Sequence, residues 1–250
     1  MILEGQVAIV TGAGQGVGRG VALALAAEGA RVAVVGRTAA KCEAVAGEIA
    51  DRGGTAVAVR CDVTTRADVD ACTTAVRDAF GPIQILVNVA QTTHFGSLRK
   101  LTEDALEELW QSGPVGTLRF MQSCFDDLRR TRGSIVNFGS GSSLTAQPAM
   151  GGYAAVKEGI RVFSRVAAVE WGRHGIRVNV ICPLAESPGM SGWAGDLPDA
   201  GDALVSHVPL GRLGDTEKDI GRAVVYLAGP DGGYVTGTTL MVDGGHDYLR

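Results

Sequence analysis

Short β-branched runs and long amphipathic stretches alternate along this chain, and few folds accommodate that rhythm. The runs lie at 6–11, 31–36, 56–61, 83–88, 133–139, 176–182 and 239–242, seven candidate strands. Between the first six come Ala- and Val-rich helical patterns at 16–29, 39–52, 66–80, 103–130 and 152–174. Strand, helix, strand repetition with right-handed crossovers predicts an α/β fold, a doubly wound parallel sheet of about seven strands with helices on both faces. Unbroken apolar runs such as Val7-Ala8-Ile9-Val10 and Ile85-Leu86-Val87 suit strands buried on both sides. No linker divides the 250 residues, so one domain over 1–250 is expected. After Cys182 the pattern breaks into Pro183, Pro188, Gly189, Gly192, Gly195, Pro198 and Gly201. So long an irregular segment in a compact domain predicts a substrate lid at 184–210.

Composition narrows the function classes. With 46% hydrophobic and 20% charged residues the chain buries a core and is not disordered. Its net charge of −4 comes with the signs interspersed, which argues against nucleic acid or an anionic membrane as partner. The start Met1-Ile2-Leu3-Glu4-Gly5 has no basic region leading into an apolar run, so a cytoplasmic location is expected. Cys42, Cys61, Cys72, Cys124 and Cys182 are scattered without metal-ligand spacing and are expected to be reduced, mostly buried thiols, with no metal site.

The first strand runs into Thr11-Gly12-Ala13-Gly14-Gln15-Gly16-Val17-Gly18 before Val21, Leu23 and Leu25 begin a helix. A helix N-terminus with bare amides and little side-chain bulk holds a pyrophosphate well. The spacing G-x-G-x-x-G fails at Val17; what fits is Gly12, Gly16 and Gly18 after a Thr. At the end of the second strand, where a carboxylate would select the ribose 2′-hydroxyl of NAD, stands Val35-Gly36-Arg37-Thr38. No acid there opposes a 2′-phosphate and Arg37 can bind one, so NADP(H) is expected over NAD(H).

Tyr153 and Lys157, four apart in a helical pattern, share one helix face. The preceding strand ends Asn137-Phe138-Gly139-Ser140, which puts Ser140 at the carboxyl edge of the sheet, where ligands sit in such folds. A phenol has an ordinary pKa near 10. A neighbouring ammonium, with the charge of an oxidised nicotinamide, is expected to lower it, so that Tyr153 exchanges a proton with a substrate oxygen that Ser140 also contacts.

On these residues the chain resembles the short-chain dehydrogenase/reductase family from end to end. The matches are Thr11-Gly12-xxx-Gly16-x-Gly18, Asp62-Val63, Asn88-x-Ala90, Ser140, Tyr153-xxx-Lys157, Arg177-Val178-Asn179 with Pro183, and Val242-Asp243-Gly244-Gly245. The resemblance implies a Rossmann-like domain, Ser140, Tyr153 and Lys157 as the catalytic set, and a homo-oligomer, most often a tetramer. Cofactor contacts expected on the combined reading are Gly12, Gln15, Gly16, Val17, Gly18, Arg37, Thr38, Asp62, Val63, Asn88, Ala90, Tyr153, Lys157 and Pro183.

Three positions depart from the family. Asn88-Val89-Ala90-Gln91 replaces Asn-Asn-Ala-Gly, and Leu184 follows Pro183 where glycine is usual. Gly113, followed by Pro114, stands where the family's fourth helix carries an Asn that helps hold a water connecting the Lys to solvent. Gly-Pro inside a helical pattern predicts a kink or break. Either the break frees a backbone carbonyl and leaves space for that water, or proton relay is impaired.

By resemblance the substrate pocket draws on Gln91, His94, Phe95, Ser142, Leu144, Gln147, Leu184, Met190 and Trp193. This mostly apolar and neutral set suggests an uncharged alcohol or ketone as the small-molecule substrate. The leading function is an NADP-dependent oxidoreductase interconverting a ketone and a secondary alcohol by hydride transfer, acting as a carbonyl reductase. The alternative is a cofactor-binding regulatory or assembly protein with little turnover. A hydrolase on an α/β fold would need a Gly-x-Ser-x-Gly elbow or a metal-ligand cluster, and the sequence has neither.

Overall fold

The computed structural model describes residues 1–186 and 204–247. All seven expected strands are present: β1 (Val7–Thr11), β2 (Arg31–Gly36), β3 (Thr55–Arg60), β4 (Ile85–Asn88), β5 (Ser134–Phe138), β6 (Arg177–Pro183) and β7 (Thr239–Val242). They pair in parallel in the order β3-β2-β1-β4-β5-β6-β7. The result is a single-domain, Rossmann-like sheet. The strand order reverses between β1 and β4, so the loops after these strands diverge and open a crevice at the carboxyl edge.

Helices α1 (Gly16–Ala27), α2 (Ala39–Asp51) and α3 (Arg66–Phe80) follow the first three strands. The period of two in β1 divides its side chains between the two faces. Ala8 and Val10 join Val21, Leu25, Val34 and Ile49 in one core layer, whereas Val7 and Ile9 join Val35, Phe120, Leu128 and Val178 in the other.

The stretch at 103–130 is not one helix. It divides into α4 (Glu103–Trp110), a π-helical turn (Gln111–Val115), α5 (Gly116–Ser123) and α6 (Phe125–Thr131). Pro114 has no N–H for the ladder, and the turn widens around it. Beyond β5 come α7 (Ser142–Thr145) and the long α8 (Gly151–Trp171).

A π-helical turn (Thr216–Gly221) leading into α9 (Arg222–Ala228) was not anticipated from the sequence. Its start is legible in hindsight, since Asp215 Oδ1 accepts from the amides of Glu217 (2.8 Å) and Lys218 (2.7 Å). This segment packs closely on α1, and a Cβ at Gly20 would lie 2.3 Å from the Thr216 backbone. Among the described residues no helix is long and apolar enough to cross a membrane.

Candidate active site

The loop from β1 to α1 is shaped by close backbone approach. Gly12 has φ +67°, and a Cβ there would lie 3.0 Å from the Ala90 backbone; one at Gly18 would fall 2.3 Å from the Gly12 carbonyl oxygen. Thr11 Oγ1 accepts from the amides of Val89 (3.0 Å) and Ala90 (3.2 Å), tying the β1 and β4 ends together. No side chain caps α1 at Gln15, so its first amides remain available. A bare helix N-terminus in a glycine-walled cleft fits the pyrophosphate of a dinucleotide.

This cleft is lined by Gly12, Gln15, Gly16, Val17, Gly18, Arg37, Thr38, Asp62, Val63 and Ala90 of the expected contacts, and by Lys41, which sequence reasoning missed. Lys41 Nζ donates to Gln15 Oε1. Its signal was positional: it lies one turn into the helix that Thr38 opens. Arg37 is exposed and, among the described residues, forms none of the ion pairs that engage Arg19, Arg52 and Arg60 nearby. Burial works against ionisation of Asp62, but the Thr64 amide (2.9 Å) and hydroxyl (2.8 Å), with the charges of Arg37 and Arg60, hold its pKa below the usual aspartate value. Asn88 is placed differently from expectation. It is buried, and its Nδ2 donates to Asn137 Oδ1 (2.8 Å), which links β4 to β5 inside the sheet.

A second cavity adjoins the first, and the two share Val17, Val89 and Gln91 in their walls. It brings together Ser140, Tyr153, Lys157 and Pro183 with Ser142, Gln147, Leu184 and Phe95. Ser140 leaves the end of β5, and its hydroxyl lies 2.8 Å from Ser142 Oγ. Lys157 is 4% exposed, its Nζ donates to the Phe138 carbonyl (2.8 Å), and it stands 5.5 Å from the Tyr153 ring centroid. Burial pushes the Lys157 pKa down to about 8, with Cys182 opposing. Burial likewise pushes the Tyr153 phenol up to about 12, against the lowering effect of the Ser140 hydroxyl. The protein's own groups therefore keep Tyr153 protonated at neutral pH, because desolvation of the phenolate outweighs the Ser140 hydrogen bond; the expected lowering counts also on the charge of an oxidised nicotinamide.

Gln91 and Gly113 turn out to be partners. A Cβ at position 113 would lie 2.2 Å from Gln91 Oε1. Gln91 Nε2 donates to the Leu109 carbonyl (3.0 Å) and to Ser112 Oγ (3.3 Å). At the π-helical turn the Gln91 carboxamide thus takes up the Leu109 carbonyl and the space beside Gly113. Leu184 needs no glycine freedom, because its backbone continues the strand: its N–H donates to Val242 O (3.1 Å) and its carbonyl accepts from the Gly214 amide (3.1 Å). His94 lies outside the cavity wall and its Nε2 is 2.7 Å from Glu108 Oε2. Met190 and Trp193 lie outside the described residues. Sequence reasoning missed Cys182, which occupies the space left by Gly139, and His246 and Asp247, which line the cavity from the turn after β7. The Gly244-Gly245 turn after β7, at the same sheet edge as Ser140, was the available signal.

Known proteins resemble this chain over nearly its whole length. The family model described as Enoyl-(Acyl carrier protein) reductase matches residues 12–247. A 12alpha-hydroxysteroid dehydrogenase of a Clostridium species is 39% identical, over 98% of this chain and 97% of that protein. A 3-oxoacyl-(acyl-carrier-protein) reductase of Haemophilus influenzae is 34% identical, over 97% of this chain and 98% of the relative. A crystal structure from Sinorhizobium meliloti 1021, of a protein assigned as a short-chain alcohol dehydrogenase, superposes with a TM-score of 0.92 at 32% identity, covering 98% of this chain and 97% of that one. With the parallel sheet, the glycine cleft and the Ser140, Tyr153 and Lys157 cavity in one molecule, the chain belongs to the short-chain dehydrogenase/reductase family, NAD(P)-dependent oxidoreductases acting on CH-OH donors.

Proposed function

We propose that the protein is an NADP-dependent carbonyl reductase that converts a ketone to a secondary alcohol, with Ser140, Tyr153 and Lys157 as its catalytic residues. The observation that carries this reading is their meeting in a cavity that shares walls with the glycine cleft. Reduced NADP bound in that cleft supplies the hydride. Ser140 hydrogen-bonds the carbonyl oxygen, and Tyr153 delivers its proton to that oxygen as negative charge builds there. A phenol held protonated by burial suits this direction. Lys157, oriented by the Phe138 carbonyl, stabilises the tyrosinate left behind.

The preference for NADP(H) rests on exposed Arg37 with Lys41 and Thr38 in one wall of the cleft, and on the lack of an acid at the end of β2. The relatives are named for a 12alpha-hydroxysteroid, a 3-oxoacyl group and, at 35% identity, D-threitol. Those names share an alcohol or oxo group, which agrees with a ketone or secondary alcohol as substrate here. Segment 184–210 serves as the substrate lid in this reading; its residues 187–203 lie outside the described residues, and Leu184 and Leu204 are in the cavity wall. The presence of Ser140, Tyr153 and Lys157 together favours an active enzyme over a silent binding module.

Two further features complete the proposal. All five cysteines are unpaired and buried, as suits the reducing cytoplasm. Val162, Val166 and Val169 form an exposed stripe on α8, which supports a homo-oligomer.

The test is oxidation of NADPH against a panel of ketones, with NADH in parallel and Tyr153→Phe as control. Turnover with a higher kcat/KM for NADPH, lowered about 10²–10⁴-fold in the variant, is expected. Turnover that persists in Tyr153→Phe overturns the catalytic assignment, and a preference for NADH overturns the reading of Arg37.

A further inference from the structure

The cavity that holds Ser140, Tyr153 and Lys157 has Val17, Phe95, Met150, Leu184 and Leu204 in its wall, yet the same wall carries the ionisable side chains of His246 and Asp247. Their side chains are only 14% and 10% exposed, and His246 Nε2 lies 4.0 Å from Asp247 Oδ1. Among the described residues His246 Nδ1 is buried without a hydrogen-bond partner.

The pair is held in place. Asp243 uses both carboxylate oxygens on this turn, accepting from the amides of Gly245 (3.0 Å) and Asp247 (2.9 Å). Gly244 and Gly245 supply the positive φ values, +66° and +87°, that reverse the chain. Room for the Asp247 carboxylate comes from Gly141, next to Ser140, where a Cβ would lie 1.8 Å from Asp247 Oδ2. The carboxylate thus lies against the backbone that carries the hydroxyl expected to contact the reacting oxygen.

The geometry points to His246 and Asp247 as specificity-determining residues that hydrogen-bond a second hydroxyl of the substrate, one that is not the reacting oxygen. A hydroxyl both donates and accepts, and so can serve the carboxylate and an imidazole nitrogen together. A carboxylate or phosphate at this place would be repelled by Asp247, and an alkyl group would offer neither side chain a hydrogen bond in exchange for the water it displaces. The favoured class is therefore an uncharged hydroxyketone and its diol product. This inference rests on the ketone reductase reading above.

The experiment compares cyclohexanone with 2-, 3- and 4-hydroxycyclohexanone, by steady-state kinetics with NADPH and by calorimetric titration of the enzyme with the cofactor present. The wild type is expected to favour at least one hydroxyketone over cyclohexanone by about tenfold, through KM and dissociation constant, as one hydrogen bond to a buried polar group would give. His246→Ala should bring that ratio close to one, and His246→Gln, which keeps an amide donor and acceptor, should restore part of it. Asp247→Asn, which removes the charge and keeps the shape, should weaken discrimination against a carboxylate at the same ring position. Because each result is a ratio within one variant, a partly unfolded preparation cannot mimic it. Equal binding of all four ketones by the wild type, binding of none, or a preference unchanged in His246→Ala overturns the inference. Selective binding without turnover would leave the inference standing and count against the reductase reading, so the two failures are distinct.

Discussion

Lys157 is placed at the expense of its own solvation. An ammonium that ionises near 10.4 in water is held at about 8 by burial, with the Phe138 carbonyl at 2.8 Å as its one hydrogen-bond partner among the described residues. Below pH 8 the group is charged both folded and unfolded, and burial of the charge destabilises the fold in full. Between about 8 and the unfolded value the folded state binds fewer protons, so stability rises with pH. Lys157→Met should therefore raise the unfolding free energy by about 1–2 kcal/mol at pH 7, after allowance for the Phe138 carbonyl left unpaired, and the gain should shrink above pH 8. Urea unfolding at pH 7 and pH 9.5 measures both. Reduction should disappear in that variant, and in the wild type it should fall as pH rises through about 8, when the ammonium is lost; a flat profile across that interval would contradict the role given to Lys157.

At the scale of elements, the π-helical turn between α4 and α5 shows one departure answering another. Pro114 opens the ladder, Gly113 leaves a gap, and Gln91 fills the gap with an amide bonded to Leu109 O and Ser112 Oγ. Gly113→Ala should displace that flexible side chain and cost about 1 kcal/mol, roughly one net hydrogen bond. With Gln91→Gly already in place the same substitution should cost much less. A double-mutant cycle in urea unfolding would reveal the coupling, whereas additivity within about 0.5 kcal/mol would refute it.

For the whole molecule, the question is how the outer face of α8 is covered. Val162, Val166 and Val169 recur at helical spacing and are 44%, 48% and 84% exposed, while Trp110 of α4 packs against Gly159 on the same helix. An apolar stripe of this kind suits a two-fold contact between copies of the chain. Val169→Glu should shift the sedimentation coefficient toward a smaller species without altering the far-ultraviolet circular dichroism. An unchanged assembly would move the interface elsewhere.

Local patterns settled much of this protein before any packing was known. The seven strands and the helices at 16–27, 39–51, 66–80 and 151–171 follow from periodicities of two and 3.6 residues. The glycine turn, Ser140 and the Tyr153–Lys157 pair follow from short spacings at strand ends and along one helix face. What lay beyond the sequence depends on segments remote in the chain meeting at one sheet edge. His94 turns to Glu108, Asn88 turns inward to Asn137, Lys41 reaches Gln15, and Gln91 fills the gap at Gly113. The turn after β7 brings His246 and Asp247 to the cavity beside Gly141 and Ser140. A spacing rule fixes which residues share a face of one element, but only tertiary packing decides which faces meet and how much water is removed. That removal of water is also why Tyr153 is held at about 12 and Lys157 at about 8.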